Sequence, residues 1–364
     1  MVTIMATIEI AGRHVGNGAP CFITFEAGPT HQGAESAKRL ASMAAEAKAD
    51  AIKFQILDPD RLVSDRKQLF QYEILVDRQT GRREKVEEPL YDLLARRALS
   101  PEKWREVKAH CDDLGLAFFA TIGFEDEVDF VHSLGCHSIK VASADVNHEP
   151  LLKRAGETGL NIQLDTGNST LGEIEQAVGV LGAAGCRNII IHHCPSGYPA
   201  HLESINLNVI RTLKSMFPFP IAYSDHSPGW EMDIAAVAIG AAVVEKTITE
   251  DRTTPSIEHI MSLEPPEMTR FVSAIRDLET ALGSFRRVMT AEERERRLAN
   301  RRSVHVKSDL PAGHELGMED FEYRRPGIGI PPSAAFDLAG RALARPLAGG
   351  KRLEWTDLVP VGDH

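Results

Sequence analysis

Cysteine is scarce in this 364-residue sequence: five are present, Cys21, Cys111, Cys136, Cys186 and Cys194, and no pair has CxxC spacing. An odd, widely spread set of this kind indicates neither a disulfide framework nor a thiolate zinc centre. No stretch approaches the roughly 18 apolar residues that a spanning helix needs, so no membrane partner is expected. The N-terminus lacks a basic region followed by a long apolar run, and the expected location is the cytoplasm. Positive charge is also short, with 41 Lys and Arg against 52 Asp and Glu and a formal net charge of −11. Nucleic acid requires a basic face and is therefore not the expected partner. A small anion remains open, because a few buried lysines suffice to hold one. Missing too are a P-loop, HExxH, the residue order of a Ser/His/Asp hydrolase and a GxGxxG after the first strand-like run. No nucleotide cofactor is expected.

What is present is ample apolar material, 43% of positions, with 26% charged. The length allows two domains of about 150 residues, or one α/β barrel of about 250 residues with a small appendage. After an alternating opening, Thr3–Val15, that reads as a β-hairpin, short apolar runs alternate with amphipathic stretches. The strand-like runs are Cys21–Glu26, Ala51–Gln55, Ala117–Thr121, Ser138–Ala142, Asn161–Asp165, Asn188–His193, Ile221–Ser224 and Ala242–Thr247. Helical stretches include Ala34–Ala49, Pro101–Leu114, Asp126–Leu134, Leu171–Gly185, Leu207–Met216, Met232–Gly240 and Pro266–Leu282. Near-continuous apolar strands, each followed by a helix, form a parallel sheet buried on both faces. Eight such units close into a (β/α)8 TIM barrel; a doubly wound open sheet is the less favoured alternative.

Two segments break the rhythm. Asp58–Ala98 follows the second strand and is long and charged, around Arg82, Arg83, Glu84, Lys85, Glu87 and Glu88. A loop at that end of a barrel covers the active site or carries subunit contacts, unless it is merely a solvated insertion. The second segment, Thr290–Arg302, is dense in Arg and Glu and reads as an exposed helical linker. The division follows as 1–285 for the barrel, 286–301 for the linker and 302–364 for a small β-rich domain. That tail is small enough to need a partner surface for stability.

Catalytic residues of such barrels stand where strands end. Polar side chains gather there: Glu26 on the first strand, Lys53 and Gln55 on the second, Thr121 on the third, and Lys140 with Ser143 on the fourth. Asp165-Thr-Gly-Asn168, His192-His-Cys-Pro-Ser-Gly-Tyr-Pro199, Ser224-Asp-His226 and Glu245-Lys-Thr247 close the remaining four. Lys53 and Lys140 lie inside apolar strands and are costly to bury unless each meets an anion. Hydroxyls of Thr121, Ser143, Thr166 and Ser224 can bond the same anion, which suits a phosphate or carboxylate ligand. Glu26 can serve as general acid or base, and His226 as metal ligand or proton carrier. Strand alternation puts Glu245 and Thr247 on one face. Spacing alone yields an anion-handling barrel enzyme and no reaction.

At these segments the sequence resembles the sialic acid synthase family, phosphoenolpyruvate-dependent enzymes that include legionaminate and pseudaminate synthases. The matching pieces include Phe25-Glu-Ala-Gly28, Ala49-Asp-Ala-Ile-Lys-Phe-Gln55, Ile139-Lys-Val-Ala-Ser143 and Tyr223-Ser-Asp-His226. Arg302-Ser303, Ala312-Gly313 and Arg325-Pro-Gly-Ile328 resemble the family's antifreeze-like SAF domain, a β-clip. The resemblance implies a (β/α)8 barrel plus SAF domain in a domain-swapped homodimer, each tail covering the partner's site. It implies a transferase reaction in which phosphoenolpyruvate condenses with the open-chain aldehyde of an amino sugar, releasing phosphate. On it, Lys53, Thr121, Lys140, Ser143, Thr166, Ser196 and Ser224 would bind phosphoenolpyruvate. Glu26, Tyr198, Asp225 and His226 would be catalytic, and Gln55, Tyr198, Glu258 and Arg325 would meet the acceptor.

The departures are concentrated. The family's Glu-Lys-His-Phe on the last strand is Glu245-Lys246-Thr247-Ile248 here. That histidine and the one matching His226 are the family's ligands for a divalent metal, Mn2+ or Mg2+, so the set is one ligand short. The site then binds metal weakly, recruits Glu245 or His193, or works without metal. Other changes leave Thr30-His-Gln-Gly33, Asp165-Thr-Gly-Asn168, Ser256-Ile-Glu-His259 and, after the third-strand threonine, Ile122. Three readings follow: a synthase with an atypical acceptor or activation, an ordinary sugar synthase that tolerates the changes, or a divergent ligand-binding or regulatory subunit.

Overall fold

The computed structural model describes residues 7–16 and 18–360. The chain divides into two compact units, Met1–Gly283 and Ser284–His364. Of the expected opening hairpin, Thr3–Ala6 lies outside the described residues; Ile8–Ile10 pairs antiparallel with Arg13–Val15. The end of the expected β-rich tail, 361–364, also lies outside them.

In the first unit eight parallel strands close into a barrel: β1 (Phe22–Glu26), β2 (Ala51–Gln55), β3 (Ala117–Ile122), β4 (Ser138–Val141), β5 (Asn161–Asp165), β6 (Ile189–His193), β7 (Ile221–Asp225) and β8 (Val243–Thr247). Strands run around the barrel in chain order, and β8 closes on β1 with Thr247 opposite Glu26. The expected strands agree to within a residue or two, and the open-sheet alternative is excluded. Five of the expected helices run one to three residues long at their C-termini, and Leu207–Met216 and Pro266–Leu282 end where expected. Gly115 (φ +66°) and Gly185 (φ +96°) lie beyond those ends in the left-handed region, which stops the helix rather than extending it. The helix between β4 and β5, Glu149–Gly156, was not expected. It is only two turns long, and its buried Leu151, Leu152 and Ala155 make too short a periodic pattern to stand out.

Alternation along the strands sorts the side chains by layer. Outward-facing Ile23, Phe25, Ile52, Phe54, Ile139, Val141, Ile162, Leu164, Ile189, Ile191 and Val244 join the main core beneath the helices. Inward-facing Phe22, Ala51, Phe119, Ile190, Ala222 and Val243 form an apolar plug with Ile8, Ile10 and Val15 of the hairpin. Toward the C-terminal ends of the strands, the inward positions are polar and still buried: Thr24, Lys53, Lys140, Gln163, His192, Ser224 and Glu245. Such groups are tolerated inside a barrel only when they satisfy one another.

The segment after β2 is structured. A short helix, Pro59–Leu62, is capped by the Asp58 carboxylate; an antiparallel hairpin, Leu69–Asp77 with Arg82–Pro89, and a helix, Leu90–Ala95, follow. Its Tyr72 and Leu93 pack with Ile257 from the chain after β8. The Arg/Glu run is the hairpin's solvated face, so both sequence readings hold for different faces of one insertion.

The second unit begins near an exposed helix, Ala291–Asn300, whose N-terminus is closed by a Thr290–Glu293 capping box. Ser303–Val306 pairs antiparallel with Phe321–Arg324. Val304, Val306, Leu316, Phe321, Ile330, Leu338, Leu343 and Leu353 form a buried cluster of their own in this unit.

Candidate active site

The inward polar residues form one connected chain. The Lys140 ammonium donates to Glu245 Oε2 at 2.7 Å, lies 3.0 Å from Asp165 Oδ1 and 3.2 Å from His192 Nδ1. Lys53 lies 3.3 Å from Glu245 Oε1, donates to the Thr121 hydroxyl at 3.2 Å and is ion-paired with Glu26. The Ser224 hydroxyl donates to Glu245 Oε1 at 3.0 Å, and His192 Nε2 meets Gln163 Oε1 at 2.9 Å. Both lysines therefore have anions within the protein. The inference that they need a ligand for burial is corrected: Glu245, Asp165 and Glu26 already neutralise them.

These carboxylates are not equivalent. Burial raises Glu26 to about 7; the pull of Lys53 in the other direction is partly cancelled by the charge of Glu245. Burial would raise Glu245 as well, but Lys140 and Lys53 hold it well below the ordinary range. Burial alone would lower Lys53, and Glu245, Glu26 and Asp165 more than reverse that. The result is a charged pair, Glu245–Lys53, with a titratable carboxyl, Glu26, at its edge. Glu26 Oε1 also accepts from the Gly28 amide at 2.7 Å, so this carboxyl is oriented by backbone.

Above the chain lies a cavity of about 420 Å³. Glu26, Lys53, Gln55, Thr121, Ser143, Asp165, Tyr198, His226, Glu245 and Glu258 line it, as do Leu57, Leu62, Phe70, Leu90, Leu93, Leu94 and Ile257. One wall is thus polar and built by the barrel, while the other is apolar and built largely by the segment after β2. Tyr198 faces His226, their ring centroids 4.8 Å apart.

Other expected residues lie elsewhere. Lys140 and Ser224 are buried behind Glu245, beneath the cavity. Thr166 and Ser196 line a second cavity of about 540 Å³ on the loops after β5 and β6. There the Thr166 hydroxyl donates to the His192 carbonyl at 2.7 Å and Ser196 to Asn168 Oδ1 at 2.6 Å. Arg325 belongs to the second unit and is exposed.

Asp225 requires correction as a catalytic residue. Ser224 and His226 face the barrel axis, so the residue between them faces outward. Its carboxylate is ion-paired with Lys246 and accepts from Tyr223 Oη at 2.8 Å and from the Ser227 amide at 3.0 Å. This is a buried structural pair, and breaking such a pair costs about 3 kcal/mol or more. Asp225→Asn should therefore lower stability against denaturant by about that amount while changing kcat by less than about tenfold. A loss of kcat of about 10³-fold at unchanged stability would restore the catalytic assignment.

The resemblance implies a divalent metal held between His226 and the position of Thr247. His226 faces the cavity, with its Nδ1 3.1 Å from the Pro195 carbonyl oxygen. Thr247 offers a neutral hydroxyl that donates to Glu258 Oε2 at 3.3 Å. The substitute ligands are engaged: Glu245 holds both lysines, and His193 faces away from the axis, its Nε2 2.5 Å from the Ile205 carbonyl oxygen. Among the described residues no three His, Cys, Asp or Glu side chains are grouped to hold a metal. Beside His226 the site offers the Glu258 carboxylate and the Thr247 hydroxyl, which bond each other, so the donor set does not fit the two-histidine site that the resemblance implies.

Gln163 and Arg97 escaped the sequence reading, and His192 was named only as part of the segment that ends the sixth strand. Gln163 and His192 occupy inward strand positions and were legible from alternation. Arg97, 4% exposed on the cavity wall, was not, because it stands in a charged, apparently solvated run.

The NeuB family model matches residues 40–287, and the SAF domain model matches residues 301–359. The chain is 33% identical over 345 residues to the N,N'-diacetyllegionaminic acid synthase of Legionella pneumophila, covering 93% of this chain and 95% of that protein. It is 32% identical to the human N-acetylneuraminate-9-phosphate synthase, over 91% of this chain and 90% of the other. Among solved structures, the N-acetylneuraminic acid synthetase of Leptospira borgpetersenii, in complex with citrate, superposes with a TM-score of 0.70 at 31% identity, covering 80% of this chain and 95% of that one. With a family model matching most of the barrel and relatives aligned over nearly the whole chain, the protein belongs to the NeuB family and carries a C-terminal SAF domain.

Proposed function

We propose that the protein is a transferase that joins phosphoenolpyruvate to the open-chain aldehyde of an amino sugar. The products are a sialic-acid-like 3-deoxy-2-keto acid and inorganic phosphate. The observation that carries this reading is the buried Glu26–Lys53–Glu245–Lys140 chain under a cavity, in a member of the NeuB family.

In this reading Lys53 meets the anion of phosphoenolpyruvate at the cavity wall, Lys140 reaches it from beneath once Glu245 gives way, and Thr121 and Ser143 bond it from the wall. The incoming anion competes with the internal carboxylates. Glu26, raised to about 7, is the one that most readily takes a proton and releases Lys53. C3 of phosphoenolpyruvate attacks the aldehyde carbon and forms the C–C bond, and water adds at C2. The C2–O bond then breaks and phosphate leaves with the electron pair, taking the proton that the C2 hydroxyl gives up as it becomes the ketone. Glu26 accepts the proton of the attacking water and returns one to the alkoxide, which leaves the new hydroxyl and the ketone. Gln55, Tyr198 and Glu258 orient the acceptor's hydroxyls, while the apolar wall meets its acyl or deoxy substituents. Thr166, Ser196 and Ser224 bind protein atoms in the free chain and reach the ligand only after rotating.

Incubation with phosphoenolpyruvate and a panel of amino-sugar aldehydes should release phosphate in step with a 2-keto acid. Silence with every aldehyde would favour a ligand-binding subunit instead.

The SAF domain, in the same reading, is swapped between subunits of a cytoplasmic homodimer, and Arg325 meets the partner's acceptor. Arg325→Ala should raise the acceptor's KM about tenfold with the KM for phosphoenolpyruvate unchanged. Equal acceptor KM, or a monomer in sedimentation, would count against the swap. No helix of the described residues is long and apolar enough to cross a membrane.

A further inference from the structure

Arg97 is a buried cation without a counterion. It is 4% exposed, and among the described residues no carboxylate lies within 4.0 Å of it. Its Nε donates to the Leu93 carbonyl at 3.2 Å and its Nη1 to the Pro29 carbonyl at 3.0 Å; no hydrogen bond of Nη2 is found among the described residues. Neutral carbonyls position a guanidinium but do not neutralise it, and most of its five N–H donors remain unused. A charge left this way is costly unless something that enters the cavity takes it up.

Its position indicates what that is. The Pro29 carbonyl lies in the loop after β1, and Glu258 and Glu26 are the carboxylates whose charge bears most on Arg97. It therefore stands over the adjoining β1 and β8, where Thr247 has left the metal set short. Lys140 and Asp165 lie across the barrel on β4 and β5.

We infer that the condensation runs without a divalent metal, and that the Arg97 guanidinium binds and polarises the acceptor's carbonyl oxygen in its place. The inference rests on the reaction proposed above. A fixed guanidinium in a water-poor cavity stabilises an alkoxide as it forms and needs no reorganisation to do so. The surrounding wall of Leu90, Leu93 and Leu94 keeps that charge effective by excluding water.

The test uses the full-length protein, stripped with chelator and checked for metal, in the phosphate-release assay. The wild type should keep its activity within about twofold after stripping. Arg97→Met should lower kcat/KM for the acceptor about 10²-fold, leave the KM for phosphoenolpyruvate within about threefold, and leave the thermal midpoint unchanged or higher. A purely structural arginine would lower the midpoint instead. Arg97→Lys keeps the charge without the planar fork and should fall between the two. Loss of wild-type activity on stripping with recovery on added Mn2+, or Arg97→Met within about threefold of wild type, overturns the inference while leaving the reaction standing. Absence of phosphate release by the wild type with every aldehyde overturns the reaction, and this inference with it.

Discussion

If the proposed reaction holds, Glu26→Gln should lower turnover by about 10³-fold or more and leave phosphoenolpyruvate affinity within a fewfold of wild type. The amide keeps the size and the Gly28 hydrogen bond but cannot move a proton. Single-turnover phosphate release and calorimetric titration measure the two effects separately. Turnover at the wild-type rate would remove Glu26 from the mechanism. A linked effect appears in stability. The folded-state value near 7 lies above the ordinary 4.5, so the folded chain holds this proton more tightly than the unfolded one. The stabilising contribution is fully present below about pH 4.5 and is lost as pH rises through about 7. Glu26→Gln should flatten that part of the stability–pH curve, and an unchanged curve would show that Glu26 is not the group titrating there.

Lys140→Met is the second large change, and it strikes both folding and binding. The ammonium is fully buried and bonds Glu245 while lying beside Asp165 and His192. Its removal leaves Glu245 and Asp165 in the barrel with Lys53 as the one remaining lysine near them among the described residues. Loss of one partner of a buried ion pair costs about 3–5 kcal/mol, to be read from denaturant unfolding. Phosphoenolpyruvate affinity should fall about 10²-fold in addition, because a charge-assisted bond to the anion is lost. Unaltered affinity in a folded Lys140→Met would place the anion elsewhere, with the second cavity around Thr166 and Ser196 the next place to look.

The barrel was legible because its signals are local and repeated. Eight short apolar runs, each followed by a periodic amphipathic stretch, leave few architectures open, and each strand was located to within about two residues. The helix Glu149–Gly156 was missed because two turns carry too little periodicity. Alternation carried more than was taken from it. Applied to Ser224-Asp-His226 it turns Asp225 outward to Lys246, and applied to Gln163 and His192 it turns both inward. The negative net charge misled only at the level of the whole chain, since the centre of the site carries its own lysines.

What the sequence determined by itself was the order of the barrel strands, the residues that end them and the substitution of Thr247 for a histidine. These depend on period, on residue type and on position along one strand. Only the tertiary structure decided how the charges pair. Lys53 and Lys140 come from different strands and share Glu245 from a third, an arrangement that no local pattern encodes because barrel closure brings the strands together. The same holds for Arg97. In sequence it is one basic residue in a charged insertion; folded, it is a buried guanidinium on the cavity wall, because the insertion packs its apolar face over the ends of the strands.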